Sequence, residues 1–91
     1  MSQPKVWNLR DPACPTTVVR IDRRTFYGNP FRIGFDGNRE TVIRKYREWV
    51  VGQPTILAAI RQNLCGKDLG CHCAPEACHG DVILEIANAT I

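Results

Sequence analysis

Hydrophobic and polar residues change rhythm several times along the chain, and each rhythm predicts a different element. Val6-Trp7-Asn8-Leu9-Arg10 alternates with the two-residue period of a half-buried strand and stops at Asp11-Pro12. Thr16 to Ile21, read as Thr-Thr-Val-Val-Arg-Ile, is a β-branched run that predicts a second strand able to pair with the first. Pro12 and Pro15 force a loop between them. Phe26 to Gly37 mixes aromatics with three glycines and a proline, a composition for an irregular segment with tight turns rather than a helix. Apolar residues then recur at helical spacing. Val42, Ile43, Tyr46, Trp49 and Val50 follow a candidate cap at Asn38 and end at Gly52. Pro54 opens a second helix whose apolar stripe is Leu57, Ile60 and Leu64, closed by Gly66. Lys67 to Cys73 predicts a third short strand and Ala74 to Gly80 a loop. Asp81 to about Asn88 predicts a third helix, with Val82, Ile83, Ile86 and Ala87 facing inward.

The order β-β-α-α-β-α predicts an α/β or α+β fold, a small mixed sheet flanked by three helices. Ninety-one residues suffice for one domain, residues 1–91, with a modest core, and 44% hydrophobic against 23% charged residues is ordinary for a folded chain. The net charge of +3 permits an anionic partner without demanding one. A dedicated DNA reader is usually more basic, and no spacing here matches a nucleic-acid motif, so a nucleic acid is the weaker candidate beside a small anionic ligand. The opening Met1 to Lys5 lacks the apolar run of a secretory signal, and no stretch is long enough to span a bilayer. The expectation is a soluble, cytoplasmic protein without a membrane partner.

The five cysteines are odd in number and crowded toward one end, which argues against a disulfide framework. Cys71 and Cys73 share one face of the predicted strand, and His72 takes the other. A short turn containing Pro75 brings the chain back to Cys78 and His79 at the start of a helix, whose N-terminal field favours a thiolate. Three readings stay open. Cys71, Cys73, Cys78 and His79 suit a tetrahedral Zn²⁺ site, although the spacings between them depart from those of zinc knuckles and ribbons. Cys78 or Cys73 could instead be a nucleophile, with His79 as acid or base and Asp81 orienting it, in a thiol-dependent hydrolase or transferase on a nucleotide-like substrate. Or the cysteines are small buried residues and His79 with Asp81 caps the helix. Cys14 and Cys65 stand apart from this chemistry.

Other residues could complete a pocket. Asn8 and Arg10 share the strand face opposite Trp7 and Leu9, and could offer an amide and a guanidinium to an anion. In Gly28-Asn29-Pro30-Phe31, the glycine frees the backbone and Pro30 biases Asn29 to an extended conformation, so Gly28 and Asn29 are ligand-binding candidates as well as a turn. Tyr27, Phe31 and Phe35 are expected to tie the irregular segment to the sheet rather than to stack bases. Arg20, Arg23, Arg24, Arg32 and Lys5 form a candidate basic strip on a solvated surface.

Together these motifs carry a resemblance. Val6-x-Asn8-x-Arg10, Gly28-Asn29-Pro30-Phe31, Asp36-Gly37-x-Arg39 leading into Tyr46-x-x-Trp49, and Gly66-Lys67-x-Leu69-x-Cys71-x-Cys73-x-Pro75-x-x-Cys78-His79-x-Asp81 resemble the small bacterial and phage domain catalogued as domain of unknown function 4326. The resemblance runs from about Val6 to Asn88. It implies that Asn8, Arg10, Asn29, Cys71, Cys73, Cys78, His79 and Asp81 share one site, while the family name assigns no activity. His72 stands where the family commonly has tryptophan, and supplies a spare ligand candidate. The family's frequent setting in phages and mobile elements implies nucleotide, nucleic-acid or host-defence chemistry, or a protein-interaction factor.

Overall fold

The computed structural model describes residues 4–74 and 76–89. Its elements follow the expected order: β1 (Val6–Asn8), β2 (Val19–Arg20), α1 (Arg39–Val50), α2 (Pro54–Asn63), β3 (Leu69–Cys71) and α3 (His79–Ala87). The sheet order is β1-β3-β2, and both pairings are parallel. The two N-terminal strands therefore do not pair with each other as the sequence suggested. β3 enters between them and takes hydrogen bonds on both edges. Leu9 N–H donates to the Cys71 carbonyl at 2.8 Å and Ile21 N–H to the Gly70 carbonyl at 2.9 Å.

Each strand is shorter than its apolar run. β1 ends at Asn8 because the chain turns there, with Asp11 N–H on the Asn8 carbonyl at 2.9 Å. β3 ends at Cys71, where the chain rises into the turn that carries the cysteines. Helix α1 begins where the cap predicts: Asn38 Oδ1 accepts from Thr41 N–H at 2.9 Å, and Glu40 lies in the positive first turn. Its residues Val42, Tyr46 and Val50, four apart, are all buried. Pro54 starts α2, and the chain leaves it through Gly66, whose left-handed backbone (φ 74°) favours glycine. Helix α3 starts at His79, two residues before the predicted Asp81, because Cys78 serves as its cap.

α3 is the centre of the packing and touches α1, α2 and β3. Tyr46 and Val50 from α1, Ile60 and Leu64 from α2's end, Leu69 from β3, and Val82 and Ile83 from α3 close the core with Ile21. α3 sits hard against the sheet: a Cβ on Gly80 would lie 2.8 Å from both Ile21 Cδ1 and Val6 Cγ2. An expectation about the aromatics also fails. Phe35 is 86% exposed, because the backbone turn at Arg32 to Gly37 closes on itself and holds the ring outside the core. Phe31 does anchor, edge-on to Trp49, and the Tyr27 carbonyl accepts from the Tyr46 hydroxyl at 3.2 Å. No helix among the described residues is long and apolar enough to cross a membrane.

Candidate metal centre and its cavity

In a parallel sheet all strands point their carboxyl ends the same way, and ligands gather outside those ends. Here that edge carries Asn8, Asp22 just beyond β2, and the turn from Cys71 to Cys78 that leads into α3. Cys71 and Cys78 are buried and Cys73 half-buried, and their Sγ atoms all lie within 4.8 Å of one another. The Cys71 and Cys78 sulfurs are 3.3 Å apart. The turn is held from beneath by Asn8, whose Nδ2 donates to the carbonyls of Ala74 (2.9 Å) and His72 (3.4 Å), while its Oδ1 accepts from Arg10 N–H.

The three sulfurs differ in acidity. The Cys78 thiol donates toward Cys71, and this, with the N–H groups of Cys73 and Ala74, outweighs burial and lowers the Cys71 pKa to about 6. Cys78 is pushed up for the same reason, since it holds the shared proton, and burial adds to that. Burial also raises Cys73, followed by the negative charge of Cys71, against a contact with the Arg39 guanidinium. Arg39 itself donates to the Ala77 carbonyl at 3.0 Å and pairs with Glu76 at 2.8 Å, which fixes it beside the thiols.

The cysteines open on a cavity of about 280 Å³, just below the range for small-molecule pockets (roughly 300–1,000 Å³). Phe31, Ile33, Val42 and Ile43 make its apolar side; Asp22, Arg23, Arg39 and His72 bring charge and polarity to it. Asn29 and His79 also reach it.

Of the site residues singled out from sequence, the cavity brings together Cys71, His72, Cys73, Cys78, His79 and Asn29; Asn8, Arg10, Gly28 and Asp81 do not line it. His79 does not join the sulfur cluster. Its Nε2 lies 2.7 Å from the Ile21 carbonyl, its ring packs on Tyr46 with centroids 5.0 Å apart, and burial depresses its pKa. Cys78 is the extended cap residue and turns its sulfur to Cys71, while His79, the first helical residue, turns its ring to the Ile21 carbonyl. The nucleophile arrangement is not assembled either, because Asp81 Oδ2 accepts from Cys78 N–H at 3.2 Å as part of a capping box instead of orienting His79. Asn29 spends its amide on the Val42 carbonyl and Phe31 N–H. Gly28 is needed for close approach: a Cβ there would lie 2.8 Å from Arg23 Cα and the Asp22 carbonyl oxygen. Arg10 is exposed.

Sequence reasoning missed Asp22, named Arg39 only as a motif residue, and named Arg23 only as part of a basic strip. The available signal was positional, an acid directly after a β-branched run that ends at the ligand edge of a parallel sheet.

The family described as "Domain of unknown function (DUF4326)" matches residues 7–89. The chain belongs to this family. A phage T4 relative described as an uncharacterized 12.4 kDa protein in the nrdA-td intergenic region is 39% identical over 74 residues, covering 77% of this chain and 67% of the relative. No solved structure matches. In this member of the family, the motif cysteines lie on one cavity, and the motif residues Asn8, Gly28 and Asp81 shape the backbone around it.

Proposed function

We propose that the chain is a metal-binding domain in which Cys71, Cys73 and Cys78 hold a Zn²⁺ ion, with one coordination position open to a cavity for a small anionic, nucleotide-like ligand. The observation that carries this reading is the approach of three sulfurs to within 4.8 Å of one another on the cavity wall. A tetrahedral ion with Zn–S bonds of about 2.3 Å places its sulfurs ~3.8 Å apart, so the triangle needs only small side-chain adjustments. Three soft donors suit zinc, and binding the ion releases the protons that the thiols hold. Structural zinc sites close with four protein ligands, whereas three leave an exchangeable position. With His79 turned to the Ile21 carbonyl, that position falls to water or to a cavity ligand.

The competing reading is a thiol-dependent hydrolase or transferase. It is favoured by one observation, the place of Cys71 on the wall of the cavity with the Cys78 sulfur 3.3 Å away to share its proton. Metal analysis of freshly purified protein with a native thiol count separates the two. About one zinc per chain with three protected thiols supports the metal site; no metal, with one thiol alkylated by iodoacetamide far faster than the rest, overturns it in favour of the nucleophile.

A further inference from the structure

Three of the four large apolar residues that stand exposed among the described residues fall on residues 22–37: Phe26 (55%), Ile33 (51%) and Phe35 (86%). They do not hang on slack chain. Residues 22–28 form two successive turns, with Thr25 N–H on the Asp22 carbonyl at 2.9 Å and Gly28 N–H on the Thr25 carbonyl at 3.1 Å. Residues 32–37 close on themselves through Asp36 N–H to the Arg32 carbonyl and Arg32 N–H to Asp36 Oδ2, both at 2.8 Å. The backbone is thus ordered to hold apolar side chains out in water, an arrangement that a covering partner makes favourable.

The same turns carry unpaired positive charge. Arg23, Arg24 and Arg32 are exposed, and none makes an ion pair among the described residues. The two acids of this stretch are engaged, Asp22 by Arg20 and Asp36 by the Arg32 N–H. Both turns also meet the cavity, which takes Arg23 from the first and Ile33 from the second. A polymer with one unit at the cavity therefore continues over a turn that offers guanidinium and phenyl groups together. Phosphates pair with arginine, and unpaired bases stack on phenyl rings. A duplex keeps its bases stacked inside and satisfies the arginines alone, as does an acidic peptide.

We propose that the turns at residues 22–28 and 32–37 bind single-stranded nucleic acid, with bases stacking on Phe26 and Phe35, phosphates on Arg24 and Arg32, and one nucleotide at the cavity beside Arg23. This rests on the proposed reading of the cavity as a nucleotide-like pocket and extends it from a free nucleotide to a polymer. Phenyl rings carry no hydrogen-bonding group, so the surface is indifferent to base sequence.

Fluorescence anisotropy of freshly purified protein with a labelled oligothymidylate of about 12 nucleotides, inside the span of known single-strand sites, tests this. The oligonucleotide is expected to bind at least about tenfold tighter than thymidine 5′-monophosphate, and a duplex of equal length to compete at least about tenfold less well, the contribution of one stacked base. Phe35→Leu keeps an apolar side chain without a π-face and should weaken the oligonucleotide about fivefold or more, whereas Phe35→Tyr should bind as the wild type does. Both variants should fold, because the ring is exposed. Arg24→Ala should lower the slope of log K against log salt by about 0.7, one phosphate contact on a single strand. Equal competition by the duplex, or by polyglutamate of the same charge, overturns the proposal in favour of a surface that reads charge alone. Binding of the mononucleotide without the oligonucleotide overturns it and leaves the pocket reading standing. Failure of both at millimolar concentration overturns the pocket reading, and this inference with it.

Discussion

On one side of the cavity Cys71 and Cys78 hang from a buried strand and a helix terminus, with Cys73 between them; on the other, Arg23, Phe31 and Ile33 ride on residues 22–37, which contain neither strand nor helix. The first side is tied down by a ladder on both edges of β3, by the Asn8 clamp and by the capping box at Cys78. The second is tied at fewer points, among them Gly28 against Asp22, Asn29 to α1, and Phe31 on Trp49. It leaves Phe26, Ile33 and Phe35 largely exposed. On the proposed reading the difference is a division of labour: groups that would hold a metal at fixed distances are braced by regular structure, and groups that would meet a ligand stand on a loop that can adjust.

The largest effect is expected on the rigid side. Cys71→Ser should bring metal content from about one ion per chain to near zero. It should also remove the stabilisation that bound metal gives, about 4 kcal/mol at free zinc a thousandfold above Kd. Melting curves with and without a chelator check this: the chelator should lower the wild-type melting temperature and leave that of Cys71→Ser unmoved. A variant that keeps its metal would remove the reason for calling this side the chemical one.

The next test strikes the joint between the two sides. In Gly28→Ala the new methyl meets backbone at Arg23 and Asp22, neither of which is a flexible side-chain end, so overpacking should cost about 1–3 kcal/mol in chemical denaturation. Metal content should be unchanged, since the cysteines hang elsewhere. If the metal is lost as well, the sides are not separable.

How far these two sides could be read in advance follows from the same contrast. Helix α1 was legible because Asn38, Glu40 and the Val42, Tyr46, Val50 stripe all point to one answer. The cysteine turn was legible as a cluster, since strand alternation puts Cys71 and Cys73 on one face. Its fourth member was not, because whether His79 follows Cys78 to a metal depends on where the helix begins, and cysteine is not among the usual cap residues. The insertion of β3 between β1 and β2 was hidden as well, since local rhythm carries no information on which distant strand supplies the partner. On residues 22–37 no period exists to read. Phe35 looks like an anchor and is exposed, while Asp22 looks like a surface acid and is buried.

Asn8→Ala is expected to be milder. It frees the carbonyls of His72 and Ala74 from their clamp, and because solvent reaches part of this turn the loss should be about 1 kcal/mol. The informative readout is metal exchange rather than stability. Zinc should leave the variant faster in a competition with a chromophoric chelator, because the turn that spaces Cys71 from Cys78 is no longer braced. Unchanged exchange would mean that the ladder alone fixes the sulfurs.

The smallest stability change is expected at Arg23→Ala and Phe35→Ala, both exposed and neither holding up a helix or strand, with shifts within about 0.5 kcal/mol. They should nevertheless differ from each other in binding. Arg23 lines the cavity and its loss should weaken a mononucleotide, more so at low salt where its field is unscreened; Phe35 does not line it and should leave that affinity alone. Paired titrations at two ionic strengths measure this. If Phe35→Ala weakens that binding as much as Arg23→Ala does, even a single nucleotide extends beyond the cavity along the exposed loop, and the cavity and the turn are one site rather than two.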